Sequence, residues 1–283
     1  MKVLLTGSKG QLGRTLLPLL SEHEVLGIDL PEHDITSSGA FMHLTRDFHP
    51  DLILHPAAMT DVDGCAREPV TAFRVNGMGT QNVALAAADV GAELLTVSTN
   101  EVFDGEAAQP YDEWAGPNPI NAYARSKLAA EWYTQNLLRR FYVVRTSWLF
   151  APGGRNFPHR IIQLADERGS LRVVTDEVSN PTYVEDLAIA IVKLIETHAY
   201  GLYHLVNEGA ASRYDFAKEI LRLSGRDAVP VTPITSEAFK RASVPPRYAP
   251  LVNNAAAALG IRLRPWKEAL ADFLDKTGYR AGV

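Results

Sequence analysis

The chain has 283 residues, of which 46% are hydrophobic and 22% are charged, as in ordinary globular proteins. Its net charge of -5 and its lack of a basic run argue against a nucleic-acid-binding surface. The single cysteine, Cys65, excludes an intramolecular disulfide and a thiolate-rich metal site. No apolar stretch approaches the ~18 residues of a membrane span, and the first apolar run is too short for a signal peptide. We therefore expect a cytoplasmic protein that does not act at a membrane.

Short apolar runs alternate with longer helical patterns in the first half of the chain. The runs predict strands at 2–6, 24–29, 51–57, 93–99 and 141–150. Helical spacing predicts helices at 70–91, at 121–138 and at 11–22, where Pro18 should kink or shorten the helix. Apolar strands separated by helices are typical of a parallel sheet covered on both faces. We therefore predict an α/β fold of the doubly wound Rossmann type.

The pattern changes beyond about residue 150, where the segments GGRN and VSNPTY have loop-like composition. Short strands separate helices that we predict near 157–168, 183–197, 212–224 and 266–275. We expect residues 1–150 to form a dinucleotide-binding domain and residues 151–283 to form mainly a smaller α/β substrate-binding lobe. Two strands, near 171–175 and 202–206, are candidates for returning to the main sheet.

A glycine-rich loop separates the first predicted strand from the first helix. Dinucleotide sites use such glycines to make a tight turn, to let the backbone approach a pyrophosphate and to pack the helix on the strand. The helix N-terminus adds free N–H groups and a positive dipole end. The predicted cofactor-binding residues here are Gly7, Lys9, Gly10, Gln11, Leu12 and Gly13.

Asp29, at the end of the second strand, indicates which dinucleotide binds. A carboxylate there accepts hydrogen bonds from the adenosine ribose and repels a 2′-phosphate, which favours NAD(H). NADP(H) remains possible, because Lys9 partly offsets the repulsion. Asp34 and Ile35 have the pattern of a pair that meets the adenine ring, but a helix cap followed by a core residue explains them equally well.

Thr99, Tyr123 and Lys127 have the order and spacing of a carbonyl-reduction site. Tyr123 and Lys127 lie four residues apart on a predicted helix and so share one face. A free tyrosine titrates near pH ~10, and a nearby ammonium is expected to lower that pKa. Such a phenol can protonate a carbonyl oxygen as hydride arrives. Thr99 ends a strand at the sheet edge where ligands bind, so its hydroxyl can bind the same oxygen.

Longer motifs resemble one branch of the extended short-chain dehydrogenases/reductases, over the whole chain. The segments LLTGSKGQLGRTL, STNEVFDG, RTSWLFAPGGRNF and NPTYVEDLA are similar to motifs of the dTDP-4-dehydrorhamnose reductases. The resemblance implies NAD(P)H-dependent reduction of the 4-keto group of a nucleotide sugar. It also implies that Thr99, Tyr123 and Lys127 are catalytic, that Tyr123 and Lys127 contact the cofactor as well, and that Lys127 binds the nicotinamide ribose.

The same resemblance implies further contacts. Ala57 and Ala58 would line the cofactor groove, whereas Thr60, Val62, Trp148 and Arg247 would contact the substrate. Simpler explanations stay open, namely a helix cap for Thr60, a core position for Trp148 and a solvated surface charge for Arg247.

Asn100 and Glu101 depart from the family pattern. The reductases usually carry Asp-Tyr after the threonine, and the related 4,6-dehydratases carry Asp-Glu. A dehydratase needs an acid to protonate the leaving hydroxyl, which the Asn100 amide is unable to supply. Asn100 is therefore expected to bind substrate in a simple ketone reduction, although Glu101 keeps other chemistry open.

Two alternatives and two further properties follow from the resemblance. The protein is alternatively another nucleotide-sugar enzyme, such as an epimerase, a dehydratase or a different keto-sugar reductase. It is alternatively a non-catalytic partner similar to the regulatory subunit of methionine adenosyltransferase. Some relatives use a divalent cation at a dimer contact, so a homodimer is possible, and Glu185 is a position for a ligand. We predict no metal site, because a glutamate on an exposed helix face is usually solvated.

Overall fold

A computed structural model, which describes residues 1–153 and 156–281, contains one six-stranded parallel sheet in the order β10-β5-β4-β3-β1-β2. Its strands are β1 (Lys2–Thr6), β2 (Glu24–Ile28), β3 (Leu52–His55), β4 (Glu93–Thr99), β5 (Phe141–Thr146) and β10 (Gly201–His204). The chain reverses its direction of winding between β1 and β3, which places a crevice at their carboxyl ends.

Helices cover both faces of this sheet. They are α1 (Gln11–Leu19), α2 (Ser38–Phe48), α3 (Val62–Arg67), α4 (Pro69–Ala72), α5 (Gly79–Val90), α6 (Ala122–Leu137) and α8 (Val184–Thr197). Alternation along the strands separates two cores, because Leu5 packs with α1 and α8, whereas Leu4 packs with α2 and α5. The predicted doubly wound α/β fold is thereby confirmed.

Two predicted elements have different bounds in the structure. The helix predicted at 70–91 consists of α4, a π-helical segment (Phe73–Met78) and α5. The strand predicted at 141–150 breaks after β5, because Trp148 adopts a φ of 41°, and resumes as the short β6 (Leu149–Phe150). Pro18 lies in the last turn of α1, so it shortens the helix as predicted.

The remaining elements form two groups, because the helix at Asn254–Ala258 packs on the main core whereas most of the others pack together around Phe150. They are α7 (Phe157–Arg168), α9 (Arg213–Leu223), α10 (Asn254–Ala258), α11 (Trp266–Lys276), β7 (Leu171–Val174), β8 (Val178–Ser179), β9 (Thr182–Tyr183), β11 (Ala211–Ser212) and β12 (Val231–Ile234). Three small sheets pair β6 with β9, β7 with β12 and β8 with β11.

The later strands have two different destinations. β10 joins the main sheet beside β5, whereas β7 pairs only with β12 outside it. A core around Phe150, Phe216 and Phe273 holds the later elements together. The division at residue 150 stays a prediction. Residues 154 and 155 of the predicted GGRN loop lie outside the described residues.

Candidate active site

A cleft of about 820 Å³ opens at the carboxyl ends of β1, β3, β4 and β5. Most predicted site residues line it, although they come from distant parts of the sequence. They are Gly7, Gly10, Gln11, Leu12, Gly13, Asp29, Asp34, Ile35, Ala57, Ala58, Thr60, Val62, Thr99, Asn100, Tyr123, Lys127 and Trp148. The structure thus assembles one site, in which the glycine loop and the phenol share a single cavity.

The glycine loop has the backbone geometry that a pyrophosphate requires. Gly7 has a φ of 63°, and a Cβ on it would lie 2.9 Å from the Ala57 Cα. A Cβ on Gly13 would lie 2.2 Å from the Gly7 carbonyl oxygen. No side chain caps α1, whose N-terminus begins after Gly10, so its first N–H groups face the cleft. These residues fit a dinucleotide.

Asp29 and Lys9 are tied to each other and to their surroundings. The Asp29 carboxylate accepts hydrogen bonds from the backbone N–H groups of Lys9 and Leu30, both at 2.8 Å. The exposed Lys9 ammonium does not line the cleft, because it donates to the Glu32 carboxylate at 2.8 Å and to the Leu30 carbonyl at 3.1 Å. Lys9 is therefore held by Glu32 rather than directed at a 2′-phosphate.

Asp34 is not the helix cap that was weighed, because Ser37 occupies the N-cap position of α2, whereas Ile35 is a core residue as that explanation expects. The Asp34 carboxylate accepts from the Thr36 backbone N–H at 2.8 Å, which stabilises the turn before α2. Ile35 is 7% exposed and packs in the core near Gly79. Because both residues also line the cleft, these structural contacts and the adenine-binding explanation are compatible.

Strand β4 positions the Thr99 hydroxyl, and helix α6 positions the Tyr123 phenol and the Lys127 ammonium. Thr99 ends β4, and its hydroxyl accepts a hydrogen bond from the Glu101 N–H at 3.2 Å. The Asn121 side chain caps α6 by accepting from the Ala124 N–H at 2.8 Å. This cap starts the helix so that Tyr123 falls in its first turn and Lys127 one turn later.

The predicted lowering of the Tyr123 pKa by Lys127 is wrong. Burial and the Glu101 carboxylate raise the pKa of Tyr123 above its usual value, and hydrogen bonding to Thr99 only partly opposes them. Burial also lowers the pKa of Lys127 to about 8, partly offset by Glu131. The phenol is thus protonated at neutral pH, which is the form that a proton donor must have.

Asn100 has a structural function that sequence reasoning missed. It is 3% exposed, and its amide nitrogen donates to the Ser179 hydroxyl at 3.0 Å and to the Ala249 carbonyl at 3.1 Å. An ionised aspartate would place a second acceptor against that carbonyl. Asn100 therefore joins the end of β4 to the later part of the chain, besides lining the cleft.

A group of charged side chains beside the cleft was also missed. Glu101 accepts from the Asn121 amide at 2.7 Å, and burial raises its pKa against the effects of Asn121, Arg241 and Arg213. Glu177, which is buried, accepts from Arg241 at 2.6 Å and lies 3.8 Å from Arg213. The sequence indicates this group only through the many arginines of its later half. Tertiary contacts, rather than any local motif, bring these charged side chains together.

Trp148 and Arg247 have different positions relative to the cleft. The half-buried Trp148 ring lies beneath the Arg213 guanidinium, 3.5 Å from its centroid, and also packs on the later core. Arg247 does not line the cleft, because its exposed guanidinium is directed to the Glu237 carboxylate at 3.2 Å. The structure therefore places Arg213, not Arg247, beside Trp148.

Thr60 and Val62 lie on the cleft wall where α3 begins. Asp61 occupies the N-cap position of this helix, so Thr60 is not its cap. The Glu185 carboxylate, in the first turn of α8, pairs with the Lys276 ammonium of α11. Within residues 1–153 and 156–281, no cluster of three His, Cys, Asp or Glu side chains is arranged to hold a metal ion. The helices of that same part are all too short or too polar to cross a bilayer.

Comparison with known proteins identifies the family. A family model described as the RmlD substrate binding domain matches residues 1–278. The spore coat polysaccharide biosynthesis protein SpsK of Bacillus subtilis is 35% identical, with 97% of each chain covered. The dTDP-4-dehydrorhamnose reductase of Streptomyces griseus is 36% identical, over 99% of this chain and 95% of the relative.

A solved structure agrees with these relatives. The crystal structure of dTDP-4-dehydrorhamnose reductase from Bacillus anthracis in complex with NADP is 38% identical, with a TM-score of 0.94 over 98% of this chain and 99% of the other. The resemblance noted in the sequence is confirmed. The chain belongs to the RmlD substrate-binding-domain family, that of the dTDP-4-dehydrorhamnose reductases.

Proposed function

We propose that the protein reduces the 4-keto group of dTDP-4-dehydro-6-deoxy-L-mannose to give dTDP-L-rhamnose, with Tyr123 as the proton donor. The observation that carries the proposal is the position of Tyr123, which lines the same cleft as Thr99, Lys127 and the glycine loop. The named activity of the Streptomyces griseus relative supports the choice of substrate.

The proposed reaction adds a hydride to the ketone carbon and a proton to its oxygen. A reduced nicotinamide, when bound, supplies the hydride. The Tyr123 hydroxyl donates its proton to the carbonyl oxygen, which Thr99 orients by a second hydrogen bond. The Lys127 ammonium, one helical turn from Tyr123, lines the same cleft and would bind the nicotinamide ribose. Tyr123 recovers its proton from solvent before the next turnover.

We infer that NADH is the preferred cofactor and that NADPH is used less well. The Asp29 carboxylate repels a 2′-phosphate, and Glu32 holds the Lys9 ammonium that would offset this repulsion. The Bacillus anthracis relative is in complex with NADP, so NADPH is the cofactor against which NADH must be compared.

A panel of keto-sugar nucleotides tests the proposal. Purified protein is mixed with each sugar and with NADH or NADPH, and nicotinamide absorbance is followed. We expect oxidation with the dTDP 4-keto sugar, and in Tyr123→Phe a loss of about 10²–10⁴-fold in kcat with little change in the NADH Kd. The proposal fails if neither cofactor is oxidised, or if Tyr123→Phe reduces the sugar as fast as the wild type.

Glu101 favours one second candidate, a different nucleotide-sugar transformation. Its carboxyl lines the cleft, and burial raises its pKa above the usual value, as is common for carboxyls that act as acids or bases. The name of the Bacillus subtilis relative gives a polysaccharide function rather than a reaction. Product analysis in which NADH is retained while the sugar is isomerised or dehydrated would favour this candidate.

A further inference from the structure

Helix α6 carries a buried carboxylate on the same face as the two catalytic candidates. Tyr123, Lys127 and Glu131 are spaced four residues apart, so they follow one another along that face. Lys127 is 3% exposed and Glu131 is 0% exposed. A carboxylate so far from water must have compensating partners.

Glu131 receives those partners from the two neighbouring strands. Its carboxylate accepts two hydrogen bonds from the Arg145 guanidinium, at 2.9 Å and 2.7 Å, and one from the Ser98 hydroxyl at 2.5 Å. Ser98 and Arg145 lie opposite each other in β4 and β5. The residues that follow them are Thr99 and Thr146, which both line the cleft. Glu131 therefore joins α6, β4 and β5 just below the site.

Stability alone does not account for this ion pair. Removing two charges from water costs so much that apolar replacements of similar volume are often at least as stable. Within the described part of the chain, the Arg145 Nη1 has no hydrogen-bond partner, and the guanidinium lies 5.1 Å from the Phe103 ring centroid. An imperfectly satisfied buried pair beside a catalytic lysine points to a function in the reaction.

Glu131 is the carboxylate that favours a charged Lys127. Burial lowers the pKa of Lys127, whereas Glu131 raises it, with Cys65 of α3 contributing in the same direction. The other polar groups around this part of α6 are His55, which burial keeps neutral, Glu101 and Tyr123 above, and Arg145 behind Glu131. Glu101 is the second carboxylate among them, but Glu131 is the one that raises the pKa of Lys127.

We propose that Glu131, held by Arg145 and Ser98, is a positioning residue that keeps Lys127 charged and aligned with Tyr123. This inference rests on the proposed function, because it assigns Glu131 to the same site. It acts through Lys127 rather than by touching the substrate. NADH binding reports on Lys127 independently of sugar chemistry, since Lys127 lines the cleft that would hold the cofactor.

The pH dependence of NADH binding and of turnover tests this role. The Kd for NADH, from its fluorescence, and kcat/KM are measured between pH 6 and 10 for wild type, Glu131→Gln and Glu131→Asp. We expect the alkaline limb of the wild type near pH 8, where Lys127 loses its proton. In Glu131→Gln the limb should move down by about 1 pH unit, and Glu131→Asp should restore most of the shift.

Two further variants separate this role from a purely structural one. Thr134→Val removes a buried hydrogen bond of 2.8 Å between α6 and Thr96 of β4, and it should leave the limb in place. The double variant Glu131→Leu/Arg145→Met replaces the ion pair by apolar groups. Its thermal midpoint should stay close to that of the wild type while its limb remains displaced.

If Glu131→Gln fails to fold, the pH profile of the double variant Glu131→Leu/Arg145→Met tests the inference in its place. An unmoved limb in Glu131→Gln, or a wild-type profile in the double variant, would overturn the inference. A wild type that binds NADH but reduces no keto-sugar would overturn the proposed function instead. In that case the NADH titration still decides whether Glu131 controls Lys127.

Discussion

Replacing Asn100 by aspartate should destabilise the protein in a way that depends on pH. The Asn100 amide donates to the Ser179 hydroxyl at 3.0 Å and to the Ala249 carbonyl at 3.1 Å. Asn100→Asp removes the amide donor. It also places a carboxylate at a position where the residue is only 3% exposed. The new carboxyl must therefore be protonated in the folded state or accept repulsion from the Ala249 carbonyl.

The magnitude follows from these contacts. Protonating a carboxyl of ordinary pKa ~3.9 at pH 7 costs about 4 kcal/mol, since each pH unit is worth about 1.4 kcal/mol. The loss of one net hydrogen bond adds about 1 kcal/mol. Because the folded-state pKa is raised, the penalty is small near pH 4 and grows as pH rises towards that folded value. We expect a loss of about 3–5 kcal/mol at pH 7, and about 3 kcal/mol less at pH 5.

Urea unfolding followed by the fluorescence of the four tryptophans measures these free energies at pH 5, 6 and 7. Asn136→Asp is the matched control, because the Asn136 amide also donates to a carbonyl, that of Trp132 at 2.8 Å, but on the exposed helix surface. It should change the free energy of unfolding by less than about 1 kcal/mol at every pH. A penalty for Asn100→Asp that is absent, or equal at pH 5 and 7, would refute the reasoning.

Two other predictions concern cofactor binding, and a third concerns the protonation of Lys127. Gly13→Ala should raise the NADH Kd at least about tenfold, because its Cβ would lie 2.2 Å from the Gly7 carbonyl oxygen. Calorimetric titration measures this Kd, and an unchanged value would contradict the prediction. Glu32→Gln should release the Lys9 ammonium and improve NADPH binding relative to NADH binding by about two- to fivefold. An unchanged ratio of the two Kd values would show that Lys9 does not reach the 2′-phosphate. The rate of sugar reduction should fall as pH rises above about 8, where Lys127 deprotonates; a pH–rate profile that is flat to pH 10 would exclude this function of Lys127.

Local patterns in the sequence predicted the fold and most of the cleft. Short continuous apolar runs mark strands that are buried on both faces, so β1 to β4 and the helices α1, α5 and α6 follow from the sequence pattern, whereas α2 was not predicted. Gly7 and Gly13 are needed for backbone geometry within one turn, and the Tyr123–Lys127 spacing fixes a common helix face. Each of these features depends on residues close together in the chain, where short-range sterics decide the structure.

Tertiary structure alone decided the electrostatics of the site. The Asn100 amide meets a carbonyl 149 residues away, at Ala249, and Glu131 meets Arg145 through the pairing of two strands with a helix. The raised pKa of Tyr123 likewise arises from burial, which no local pattern reports. Charges and hydrogen bonds act through space and strengthen as water is excluded, so their effects depend on the packed arrangement rather than on spacing along the chain.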